Sequence, residues 1–86
     1  MTASKNVIND AILPAQIRAG RALIGWTQER LAVACGLPKR TIARIELAEG
    51  NPRLTTLTAI RTALETAGVE FIAENGGGAG VRLRKD

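Results

Sequence analysis

The sequence predicts a mainly α-helical domain of four to five short helices, closed by a C-terminal β-hairpin. Three observations lead there. Apolar residues make up 45% of the 86, yet Trp26 and Phe71 are the only aromatic ones, so the core must be Leu, Ile, Val and Ala, which suits closely packed helices. Glycines at 25, 36, 50 and 68 punctuate the middle of the chain at helix-length intervals, and Gly is the residue that most readily ends a helix. Beyond Gly68 the apolar pattern changes from helical spacing to alternation, the period of a strand. A chain of this length makes one domain around one core.

Residues 1–13 read as an N-terminal arm or short helix. Met1 to Lys5 are expected to fray, and Val7, Ile8, Ala11, Ile12 and Leu13 to form a turn or two or to dock on the body. Pro14 suits the first turn of a helix, and Ile17, Arg21 and Ile24 share one face of a helix over 14–24. Gly25 ends it, in a left-handed conformation that costs Gly little. Thr27 is a good N-cap for a second helix over 28–35, whose inner stripe is Leu31, Ala32 and Cys35. Gly36 stops it and Leu37 plugs the turn. Pro38 stands where it costs little, at the start of a third helix over about 39–48. Ile42 and Ile45 face inward there, and Lys39, Arg40, Thr41, Arg44 and Ala48 fall mostly on the other side. Gly50, Asn51 and Pro52 make a loop. The fourth helix, about 54–67, has Leu54 anchoring its entry and Leu57, Ile60 and Leu64 as its core stripe.

Residues 69–86 form the hairpin, with strands at about 69–73 and 80–84. Val69 and Phe71 alternate with Glu70, Val81 and Leu83 with Arg82 and Arg84, and AENGGGAG is the turn between. A two-stranded ribbon is marginal alone. It needs the helices beneath it, as an intramolecular flap, a partner's ribbon beside it, or both. The preferred expectation is the second, with Val69, Phe71, Val81 and Leu83 as dimer contacts.

Twelve basic residues against eight acidic leave a charge of +4, which suggests an anionic partner. The chain has no His and one Cys. An intramolecular disulfide, a protein metal site of the usual kind and a His-based nucleophile pair are all excluded. No enzyme and no cofactor is expected, and Cys35 reads as a small buried hydrophobe. Neither a secretory pattern nor an apolar run of membrane-spanning length is present. The expected place is the cytoplasm of a bacterium or phage host, on the nucleoid when bound to DNA.

Residues Thr27 to Arg53, TQERLAVACGLPKRTIARIELAEGNPR, then read as a helix-turn-helix. A short second helix held by a first fits the major groove of B-DNA. Ile42 and Ile45 would hold it, while Lys39, Arg40 and Arg44 face the bases. Arg offers a planar fork for guanine O6 and N7, worth about 1–3 kcal/mol of discrimination per good pair. Arg40 and Arg44, at i and i+4, repel one another in the isolated helix, and an anion on that face relieves the repulsion.

The spacing Gln28, Leu31, Ala32, Gly36, Leu37, Ile42, Arg44, Ile45, Glu46, then Gly50, Pro52 and Leu54, resembles the lambda-repressor-like helix-turn-helix family of Cro/CI or XRE type, over residues 17 to about 67. The resemblance implies base reading by Lys39, Arg40 and Arg44. It implies phosphate or minor-groove contact by Gln28, Thr41 and Arg53; Arg18, one turn before Arg21, is expected from its own position to be a further phosphate contact. Arg21 matches the position that reaches the acid at Glu46, so these two are expected to form an ion pair tying helix 1 to helix 3. Two positions depart from the family: Pro38 stands where Ser or Thr often caps the third helix, and Arg53 where Ser often caps the fourth.

The function implied is a sequence-specific regulator of transcription, a repressor binding a two-fold operator in double-stranded DNA as a homodimer. The alternatives are an antitoxin, which would bind a toxin protein as well as its own promoter, and a protein-interaction module in which the third helix meets an acidic partner.

Overall fold

A computed structural model describes residues 11–85, and the expectations for residues 1–10 lie outside it. Four helices are followed by two strands: α1 Pro14–Ile24, α2 Gln28–Cys35, α3 Lys39–Glu46, α4 Leu54–Thr66, β1 Val69–Ile72 and β2 Gly80–Leu83. The architecture is the mainly helical one expected, with an antiparallel hairpin at its C-terminus. Of the anticipated N-terminal segment, Ile12 is buried against the core and Leu13 is extended, the N-cap of α1.

The helical spacing works as a burial code. Ile17, Leu31, Ile42, Ile60, Leu64 and Val69 are fully buried, joined by Ala32 and Ile45. Leu37, Leu57, Phe71 and Val81 pack against that cluster. Gly20 lets α1 approach closely: a Cβ there would stand 3.4 Å from both Leu64 Cδ1 and Val69 Cγ1. One expectation fails: Leu54, the first residue of α4, is 56% exposed and lies outside the core. Cys35 is half-buried and packs against the cluster, and its burial pushes the thiol pKa up.

The first three helices end the same way. One residue turns left-handed and the next donates its N–H back five residues: Trp26 N to Arg21 O at 3.0 Å, Leu37 N to Ala32 O at 3.0 Å, and Glu49 N to Arg44 O at 2.9 Å. The left-handed residues are Gly25 (φ 68), Gly36 (φ 71) and Ala48 (φ 60). This is the Schellman closure, which satisfies carbonyls the helix leaves unpaired. It also corrects α3, which stops at Glu46 instead of continuing to 48. The last helix and both strands end one residue short of expectation. Ala48 carries a Cβ where the other two turns have none, and a left-handed non-Gly residue costs about 1–2 kcal/mol. Ala48→Gly is therefore expected to raise stability by about 0.5–1 kcal/mol after the added freedom of the unfolded chain is subtracted. The check is a higher denaturant midpoint at unchanged slope.

In the hairpin, Val69 pairs with Leu83, Glu70 with Arg82, Phe71 with Val81 and Ile72 with Gly80. Both strands touch α1, and β1 also touches α4. Val69 is fully buried and Phe71 and Val81 face the core. Three of the four residues assigned to a dimer contact thus serve the chain's own core, and only Leu83, on the same face opposite Val69, is left exposed, at 52%. The reason is the ribbon's marginal stability: its apolar face is covered by the nearest apolar surface, that of α1 and α4.

Gln16 fixes the docking. This buried side chain accepts from Leu13 N at 2.8 Å and donates to Ile72 O at 3.1 Å and Gly80 O at 2.9 Å. One amide thus starts α1 and clamps both strands. On the other face of the hairpin, Arg82 and Glu70 form a cross-strand ion pair at 3.0 Å, which holds the Glu70 carboxyl below its ordinary range.

Candidate nucleic-acid interface

The third helix is anchored by two side chains and braced at its end. Ile42 and Ile45 are buried. On the opposite side Lys39, Arg40 and Arg44 are exposed and Thr41 is half-exposed. Pro38 makes no side-chain cap, but its carbonyl accepts from Thr41 N at 3.0 Å, so its fixed φ of −65° opens the helix. Arg53 is the N-cap of α4, likewise without a side-chain cap bond, and its cationic head is exposed.

The brace centres on Glu46. Its carboxylate is 3% exposed and meets Arg21 in a two-pronged pair, Nε to Oε2 at 2.6 Å and Nη2 to Oε1 at 2.7 Å. The remaining prong, Nη1, donates to Trp26 O at 2.9 Å. Gln28 Nε2 donates to Glu46 Oε1 at 3.0 Å. Arg18 Nη1 donates to the Glu46 backbone carbonyl, placing a cation at the negative end of the helix dipole. With the turn bonds above, the last four carbonyls of α3 all have partners.

Burial pushes the Glu46 carboxyl pKa up, but the hydrogen bonds from Arg21 and Gln28 and the charges of Arg21 and Arg18 outweigh it and hold the group ionised below its ordinary range. Arg21 is shifted up, chiefly by its hydrogen bond to Glu46. Two residues expected at phosphates are thus found on the brace: Gln28 and Arg18 both hold the end of α3. The motif spacing includes Gln28, and Arg18 lies one turn before Arg21, but neither fact shows which way these side chains turn.

Arg44, Thr41, Glu49, Gly50, Asn51, Pro52 and Thr56 line a shallow hollow between α3 and the start of α4. Arg44 Nε lies 3.9 Å from Glu49 Oε1. Lys39 and Arg40 have no such carboxylate partner among the described residues. No potential metal-binding group of His, Cys, Asp or Glu is found among the described residues. None of the described helices is long and apolar enough to cross a membrane.

A two-helix element with a braced second helix and an outward row of cations is the form in which a protein enters the DNA major groove. A family model described as helix-turn-helix matches residues 17–71, more than half of the chain. The chain belongs to this XRE-type, lambda-repressor-like helix-turn-helix family, a family of DNA-binding transcriptional regulators. A search of curated proteins finds no match.

Proposed function

We propose that this chain is a repressor that binds a two-fold operator in double-stranded DNA as a homodimer, with α3 in the major groove. The observation that carries the reading is α3 itself. Its inner side is locked by Ile42 and Ile45 and its end by Glu46, so the outward row of Lys39, Arg40 and Arg44 is presented by a fixed element. Preorganised donors lose little freedom on binding. In this reading Arg40 and Arg44 read bases, Lys39 reads a base at the helix start, and Arg53 and Thr41 meet phosphate. Gln28 has a second amide hydrogen beyond the one given to Glu46, which suits a phosphate oxygen.

The dimer follows from geometry of scale, since one such helix spans only a few base pairs and two-fold pairs read half-sites about 34–36 Å apart. The contact belongs to the open edge of the two-stranded ribbon together with Leu83. Unpaired strand edges are templates for pairing with another chain.

The test is binding of a selected operator by Arg40→Ala and Arg44→Ala. Each is expected to lose about 1–3 kcal/mol per half-site, roughly 5- to 150-fold in affinity for each, and to relax selectivity at its own base pair while leaving other positions unchanged. Wild-type sequence preference in both variants would sink the assignment.

A further inference from the structure

We infer that Glu49 is a positioning residue for Arg44 and so helps set base selectivity, an inference that rests on Arg44 being a reading residue. The placement comes from the backbone. In a Schellman closure the residue after the left-handed position is brought back beside the helix residue five earlier, and the two side chains usually make an apolar contact. At the ends of α1 and α2 that residue is apolar, Trp26 and Leu37. At the end of α3 it is Glu49, and the helix residue it faces is Arg44. The motif thus juxtaposes a carboxylate and a guanidinium, at 3.9 Å.

The loop completes the seat. Gly50 follows with φ +73, and a Cβ there would lie 3.4 Å from Arg44 Nη2, so the guanidinium rests over the bare backbone of the loop. Both charged side chains are more than half exposed. A pair this exposed adds little to folding stability. Its effect falls instead on where the Arg44 fork points and on how strongly its charge is drawn to phosphate. With Glu49 beside it at 3.9 Å, without a hydrogen bond, the Arg44 charge is partly offset towards the DNA backbone and its fork is biased towards one side of the base edges. Lys39 and Arg40, without such partners among the described residues, keep their full attraction to DNA.

The experiment compares wild type, Glu49→Gln, Arg44→Ala and the double variant by selection from a random duplex pool and by salt titration on a non-operator duplex. In Glu49→Gln the preference at the base pair read by Arg44 is expected to fall about two- to fivefold. The slope of log K against log salt on non-operator DNA is expected to steepen by about 0.9, the share of one further neutralised phosphate. In the Arg44→Ala background, Glu49→Gln is expected to leave base preference where Arg44→Ala put it. A Glu49→Gln profile identical to wild type, or an equal loss of preference with Arg44 absent, overturns the inference while leaving Arg44 as a reader. An Arg44→Ala profile identical to wild type overturns the reading assignment and this inference with it. Glu49 is exposed, so the Gln variant is expected to unfold at the wild-type temperature, which separates positioning from loss of fold.

Discussion

Replacing Glu46 by Ala is expected to cost about 3–5 kcal/mol of folding stability, the cost of breaking a buried ion pair from one side. Arg21 would keep its bond to Trp26 O but lose both bonds to carboxylate, and Gln28 would lose the acceptor of its amide. In a domain whose total stability is about 5–15 kcal/mol, that is a large share. A melting temperature lower by more than about 10 °C is the expected reading. DNA affinity is expected to fall as well, although a negative charge is removed from the DNA-binding domain, because the end of α3 is no longer held. A variant that melts like wild type would show that the pair is incidental.

The same carboxylate gives a pH dependence whose sign follows from its lowered pKa. The unfolded chain takes up the proton near the ordinary Glu value of about 4.3, before the folded chain does. The brace therefore contributes fully above that pH and is lost as pH falls through the lower folded-state value. Glu46→Gln, which keeps the shape and removes the charge, is expected to be less stable at neutral pH and to show a shallower fall in stability on acidification. Urea unfolding of the two proteins between neutral and acid pH checks this.

The second large effect is expected at Gln16. Gln16→Leu keeps apolar volume beneath the hairpin but removes the partner of Leu13 N, Ile72 O and Gly80 O. A buried polar group stripped of its partner costs about 1–3 kcal/mol; with ladder bonds satisfying part of the strand carbonyls, a total of roughly 3 kcal/mol is expected. The loss is expected to be local. Hydrogen exchange at Val69–Ile72 and Gly80–Leu83 should quicken more than in α2 and α3. Uniform loss of protection, or none, would deny Gln16 its role as the clamp.

The sequence made the helices legible because their apolar spacing and glycine stops point to one answer. Ile17, Leu31, Ile42, Ile60 and Leu64 are fully buried, and the αL turns at Gly25 and Gly36 are where Gly predicts them. The end of α3 was less legible because its left-handed residue is Ala48, which carries no such signal. The hairpin's period was clear but its partner was not. Alternation shows which side of a strand is apolar, not what covers it, and Gln16, a polar residue outside the apolar pattern, holds that information. A signal existed in Gly20, a residue without a side chain one turn after Gln16, where α1 meets Leu64 and Val69. In the candidate interface, the outward cations could be placed from helical spacing alone. The directions of Gln28 and Arg18 could not, because both are long side chains whose partners lie on the far end of another helix. Glu49 carries no signal in helical spacing, because its partnership with Arg44 depends on the turn at Ala48.

The central claim is that the outward row of α3 reads DNA sequence, and selection of bound duplexes from a random pool tests it most directly, carried out with wild type and with Arg40→Ala. The account predicts that wild type selects two inverted half-sites whose centres are about one helical turn apart, and that Arg40→Ala selects the same arrangement with one base position in each half-site relaxed. Recovery of no shared sequence by wild type, with binding that follows salt alone, would contradict it.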